Sequence, residues 1–221
     1  MVKGIIISTA LGILLSGMWF GTNVLFNLLS SKLKIKALGD WSIVLASLVP
    51  TTIILNYSEL KMLNLEQLLN FKNWGILLIT VALTLLIISQ NKASKYLSQE
   101  ELLLSAADGI VMEIPQRMMM QSFIVILLER WQIDRYVAIP ITAFIWCISI
   151  CIQCQIFKKK FDLAIRNEIL ASFVFSMGIG YLFLKSEFIG FTMLAHFLER
   201  LLNGLFKNKK LSESTKVDKT I

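Results

Sequence analysis

Seven stretches of mostly apolar residues, joined by short polar segments, leave this chain few ways to fold. They run over 4–29, 41–57, 74–90, 102–128, 136–157, 169–184 and 188–206. A helix needs roughly 20 apolar residues, range about 17–25, to cross the hydrocarbon core of a bilayer. No water reaches that core to satisfy backbone N–H and C=O groups, so spanning segments of this length are helices. The second stretch and the last two are short or broken by polar groups, so counts from six to eight spans fit, with seven at the centre. The expected fold is an all-α, polytopic membrane helix bundle, one domain over residues 1–206. The stretch 207–221, rich in Lys, Ser and Thr, reads as a basic disordered tail. The first stretch is too long for a secretory signal, and no small-residue cleavage site precedes the lysines after it.

Composition agrees and excludes the alternatives. Only 17% of the 221 residues are charged, against about 25% in soluble domains. The mean hydropathy is +0.68. That excludes a cytosolic α/β enzyme, a secreted disulfide scaffold and a disordered linker. A net charge of +7 would suggest nucleic acid in a soluble chain. Here the bases sit between apolar runs, and no nucleic-acid module, phosphate loop or nucleophile elbow accompanies them. The first partner is therefore the lipid bilayer, and nucleic acid is not expected. Cys147, Cys151 and Cys154 fall on one helical stripe, as small apolar packing or as a soft-metal thiolate cluster. Met118, Met119 and Met120 read as pliable packing. In 58–72, Met62, Leu65, Leu68 and Leu69 recur at helical spacing. That segment is either a helix lying in the membrane interface or a short solvated helical loop.

Ionisable residues inside spans are costly, about 2.5 to 3.5 kcal/mol each at a helix centre, so each needs a partner or a use. One cluster is Asp108, Glu113 and Arg117; the other is His196, Glu199 and Arg200. Glu113 and Arg117, four apart, share a helix face and can pair. Pro115 between them has no N–H to give the carbonyl of Val111. The group is either a kinked polar site or a salt bridge that fixes packing. His196, the single histidine, shares a face with Glu199 and Arg200. It is either an interhelical hydrogen-bonder or part of a site. No cofactor is evident, and one histidine with a few carboxylates falls short of a closed zinc ligand set; a divalent metal is not established.

The order of these features, from about residue 103 to 203, resembles the CPBP family. It comprises CAAX prenyl endopeptidases of the second type and bacterial bacteriocin-processing or immunity proteins. The family carries an EExxxR motif, a later FxxxH motif and a final HxxxN or HxxxD motif. Arg117 matches the first with Glu113 at its second Glu position, and His196 matches the third. Met112 stands at the first Glu position, Trp146 near the Phe, Ile150 near the second motif's His, and Arg200 at the Asn or Asp position. The resemblance implies intramembrane peptide hydrolysis by an acid and histidines acting on water, with or without a metal. Glu113, Arg117 and His196 are then the candidate catalytic residues. Water attack needs a general base and a positioned oxyanion donor, and three of the expected polar groups are replaced.

Two functions follow from that comparison. One is an incomplete intramembrane-protease site in a protein that binds a membrane-embedded peptide or protein, of bacteriocin-immunity or chaperone type. The alternative is an active endopeptidase using Glu113 as base and His196 as acid or orienter. The resemblance implies a bacterial cytoplasmic membrane. With seven spans, fourteen of the 22 Lys and Arg lie on one side: Lys32, Lys34, Lys36, Lys92, Lys95, Lys158, Lys159, Lys160, Arg166 and the five lysines of 207–221. Lys3, Lys61, Lys72, Arg130, Arg135 and Lys185 lie on the other. The positive-inside rule then puts residue 221 in the cytoplasm. A reporter active only in the cytoplasm, fused after residue 221, is expected to be active; signal from an outside-specific reporter would refute the seven-span arrangement.

Overall fold

The apolar stretches are helices in the computed structural model, which describes residues 1–91, 95–156, 158 and 160–217. They are α1 (Val2–Leu33), the short α2 (Lys36–Asp40), α3 (Ser42–Tyr57), α4 (Phe71–Ile88), α5 (Gln99–Glu113), α6 (Ser122–Arg130), α7 (Ala138–Ile156), α8 (Leu163–Ser186) and α9 (Ile189–Val217). A π-helical segment, Ile114–Gln121, joins α5 to α6 without a break. Five helical stretches among the described residues are long and apolar enough to cross a membrane: 2–33, 71–88, 99–130, 135–156 and 163–186. The shorter apolar α3 and the more polar α9 complete an all-α membrane bundle of about seven spans. Lys92 and Lys159 of the basic loops, and residues 218–221 of the tail, lie outside the described residues.

Local chemistry starts these helices where they start. Ser98 caps α5 by accepting from the Glu101 backbone N–H at 3.2 Å, while the Glu101 side chain accepts from the Ser98 N–H at 2.8 Å. This reciprocal pair satisfies two donors that a helix N-terminus otherwise leaves open. Asp162 accepts from the Ile165 N–H at 3.0 Å to begin α8.

Buried amides then tie helix ends together. At one end Asn208 of α9 brackets Leu97, accepting from its N–H at 2.8 Å and donating to its carbonyl at 2.7 Å. Asn167 of α8 donates to Asn91 at 2.8 Å on the same side. At the other end the Ile189 N–H donates to the Met62 carbonyl at 3.0 Å, and Arg135 pairs with Glu187 at 3.0 Å.

Two segments expected from the sequence take definite form here. Residues 207–217 continue α9 as helix, with the Asn208 amide bonded to Leu97. In 58–72 a 3-10 turn over Leu65–Leu69 precedes the start of α4 at Phe71, with Leu69 84% and Phe71 89% exposed, which matches the short solvated helical loop of the two expected alternatives. The Met62–Asn64 backbone instead pairs with residues 187–189.

Met119, Met120, Ile124 and Leu128 pack with Ile141, Ile145 and Trp146 in one apolar cluster; Leu77 and Val81 of α4 meet Phe175, Ile179 and Phe191 in a second. Exposed Ile6, Leu48, Leu78 and Leu86 belong to the outward faces of α1, α3 and α4, the surface expected to meet lipid. α5 crosses α9 closely at Gly109, where a Cβ would sit 2.9 Å from the backbone oxygen of His196. Only glycine allows this approach without moving α9. Gly109→Ala is expected to cost about 1–3 kcal/mol by overpacking, read as a lower melting temperature in detergent. Gly17→Ala, whose Cβ would meet nothing within 4 Å, is expected to leave it unchanged.

Candidate functional site

Pro115 removes a backbone donor inside the α5–α6 span, and the chain widens into a π turn there. The carbonyl of Val111, expected to be left open, is taken by the Ile114 N–H. Residues 113, 117 and 121 lie four apart, and all three side chains point into the bundle with no exposure. Ser122 closes the wide turn by donating to the Arg117 carbonyl at 3.1 Å.

Arg117 is the hub. Its Nε donates to Glu113 Oε2 at 3.3 Å, Nη1 to Gln121 Oε1 at 2.9 Å and Nη2 to Ser176 Oγ at 3.1 Å. Gln121 passes the chain on, donating to the Gly180 carbonyl at 2.9 Å. The other carboxylate oxygen, Glu113 Oε1, lies 2.7 Å from His196 Nδ1. Paired to a guanidinium, the carboxylate accepts, so Nδ1 is the donor and the imidazole is oriented by Glu113. The ring also packs on Phe175, centroid to centroid 5.0 Å. The three candidate residues are thus joined in one buried network linking the α5–α6 span, α8 and α9.

A cavity of about 440 Å³ runs from His196 toward the Lys207 end of α9. Met112, Gln116, Trp146 and Ile150 line it, as do Glu168, Glu199, Arg200 and Asn203. Glu113 and Arg117 do not form its wall; their partners His196 and Ser176 do. Glu199 is 8% exposed, and among the described residues no hydrogen bond or ion pair holds it. It faces the cavity from the middle of α9.

Asp108 is not part of the network. It is exposed on the outer side of α5, because it stands on a different helix face from Glu113. Gln121 completes a spacing of four already visible in Glu113 and Arg117, so its part was open to sequence reasoning. Ser176 and the Gly180 carbonyl, on a helix some 59 residues away, were not. Cys147 donates to the Ile169 carbonyl at 3.6 Å, and Cys154 alone of the three cysteines is fully buried. The donor set does not fit a divalent cation. The carboxylate bonded to His196 is already neutralised by Arg117, and among the described residues no three His, Cys, Asp or Glu side chains converge as ligands.

Comparison with models of known protein families, with curated proteins and with solved structures finds no match for this chain.

Because Arg117 is fully buried, removing it strands a carboxylate. Arg117→Ala is expected to cost about 3–5 kcal/mol, read as loss of the detergent-solubilised fold at lower temperature. Arg117→Lys keeps the charge but not the planar fork that reaches three acceptors, and is expected to fall between the two.

Proposed function

We propose that this membrane protein is a CPBP-like relative whose protease site is incomplete, and that it acts by binding a membrane-embedded peptide or protein, in the manner of an immunity protein or chaperone. The observation that carries this reading is the place of Glu113. Both its oxygens are engaged, by Arg117 and by His196, and it is shut away from the cavity. A general base has to reach the water it activates, and here the carboxylate serves the fold. At the positions where the resemblance asks for an acid and an imidazole, the cavity wall carries Met112 and Ile150. Neither accepts a proton. Arg200 fills the third position, where its charge would also oppose a cation. The charge pattern of the loops supports a cytoplasmic Lys207 end, and the resemblance supports a bacterial membrane.

A second reading, an active endopeptidase, draws on one observation: His196 and the buried Glu199 face the same cavity. They are three residues apart on one face of α9. Purified protein mixed with apolar peptides is expected to leave them intact by mass spectrometry. Met112→Glu combined with Ile150→His restores both missing groups beside His196, and is the variant in which cleavage is expected to arise. Cleavage by the unaltered protein that disappears in His196→Gln and in Glu199→Gln at normal stability would replace this proposal by the endopeptidase.

A further inference from the structure

Two acceptors stand side by side on α9 where it walls the cavity. Glu199 is 8% exposed, lines the space, and among the described residues makes no hydrogen bond or ion pair. His196, three residues before it, spends Nδ1 on Glu113. Glu113 is neutralised by Arg117, so the imidazole is neutral and its Nε2 carries a lone pair. Among the described residues nothing bonds to that nitrogen. Residues three apart on a helix have Cβ atoms about 5–6 Å apart, close enough for one nitrogen atom to bond both acceptors. A buried carboxylate without a partner is costly. Arg200 and Lys207 line the same cavity, and neither forms an ion pair with Glu199 among the described residues. With Glu168 of α8, the described lining carries two acids and two bases. Net charge therefore does not choose the ligand. Burial does, since of these four only Glu199 is buried.

We propose that the cavity takes a primary ammonium group, held by the Glu199 carboxylate and by Nε2 of His196. An ammonium has three donors and no acceptor, the complement of this pair. Gln116, Ser172 and Asn203 line the same space and offer neutral oxygens for the third donor. A metal ion answers the site less well, because among the described residues no three His, Cys, Asp or Glu side chains converge. At about 440 Å³ the cavity falls within the range of small-ligand pockets, about 300–1,000 Å³, so it admits the chain end that carries the ammonium as well. That group is available on a peptide N-terminus, on a Lys side chain and on an ethanolamine headgroup. The choice of a peptide rests on the partner-binding reading; the ammonium rests on the cavity.

The test uses the full chain in detergent micelles and short Leu/Ala peptides labelled at the C-terminus, with binding read by fluorescence anisotropy. One peptide has a free N-terminus, one is N-acetylated, one is N-acetylated with a single Lys, and one carries a trimethylated N-terminus. The two primary amines are expected to bind about ten- to hundredfold more tightly than the acetylated peptide, the range for hydrogen bonds to charged groups. The trimethylated peptide, charged but without N–H donors, is expected to fall between. Glu199→Gln is expected to erase the preference for amines while keeping or raising the melting temperature, since it removes a buried charge. Equal binding of free and acetylated peptides would overturn the proposal. So would a preference that survives Glu199→Gln, trimethylated binding as tight as that of the free amine, or a melting temperature lowered by Glu199→Gln, which would show the carboxylate paired within the protein. Displacement of the free peptide by phosphatidylethanolamine and not by phosphatidylcholine would uphold the ammonium site and assign it to a lipid headgroup. Cleavage of the recovered peptide, weighed by mass spectrometry, would refute the silent protease site while leaving the preference for amines in place, so the two failures are distinct.

Discussion

A guanidinium with no exposure to solvent has to find acceptors for its donors within the protein, and Arg117 finds them on two helical segments at once. An unpaired charge at that depth would be far more costly than any apolar contact nearby is favourable. The positions of Glu113, Gln121 and Ser176 are therefore tied to one another through a single side chain. His196 joins through Glu113, and Gly180 through Gln121. The wide turn after Pro115 belongs to the same arrangement, since the backbone there is satisfied by Ser122 and Ile114 rather than by water.

The network also divides the bundle's polar groups into two kinds. Glu113, Arg117 and Gln121 are spent on one another and on α8. His196 is shared, with one nitrogen held by Glu113 and its ring at the head of the cavity. Among the described residues Glu199 and Asp108 make no hydrogen bond or ion pair: one faces the cavity and the other the outside of α5. Groups of the first kind favour the fold, since each hydrogen bond made at low dielectric leaves nothing open. Groups of the second kind are unfavourable for the isolated chain, and it is these that any ligand or partner helix would satisfy.

The amide ties at the helix ends act on a different scale. Asn208 with Leu97, and Asn167 with Asn91, hold the ends of α9 and α8 against the segments that precede α5 and follow α4. They fix the axial position of α9, which is what brings His196 level with Gly109 and Glu113.

By itself the sequence determined the all-α membrane bundle, because apolar runs of spanning length admit one backbone solution in lipid. It determined the Glu113–Arg117 pairing, because a spacing of four puts two side chains on one helix face. It also singled out His196 as a residue needing a partner. Only the tertiary structure decided that the partner is Glu113, 83 residues away, since nothing in local spacing says which faces of two distant helices meet. The same holds for Ser176, for Asn208, whose amide meets Leu97, and for Asp108, which sequence proximity grouped with Glu113 and the fold set apart. Periodicity along one helix is written in the chain, whereas the rotation and axial offset of one helix against another depend on all their contacts together.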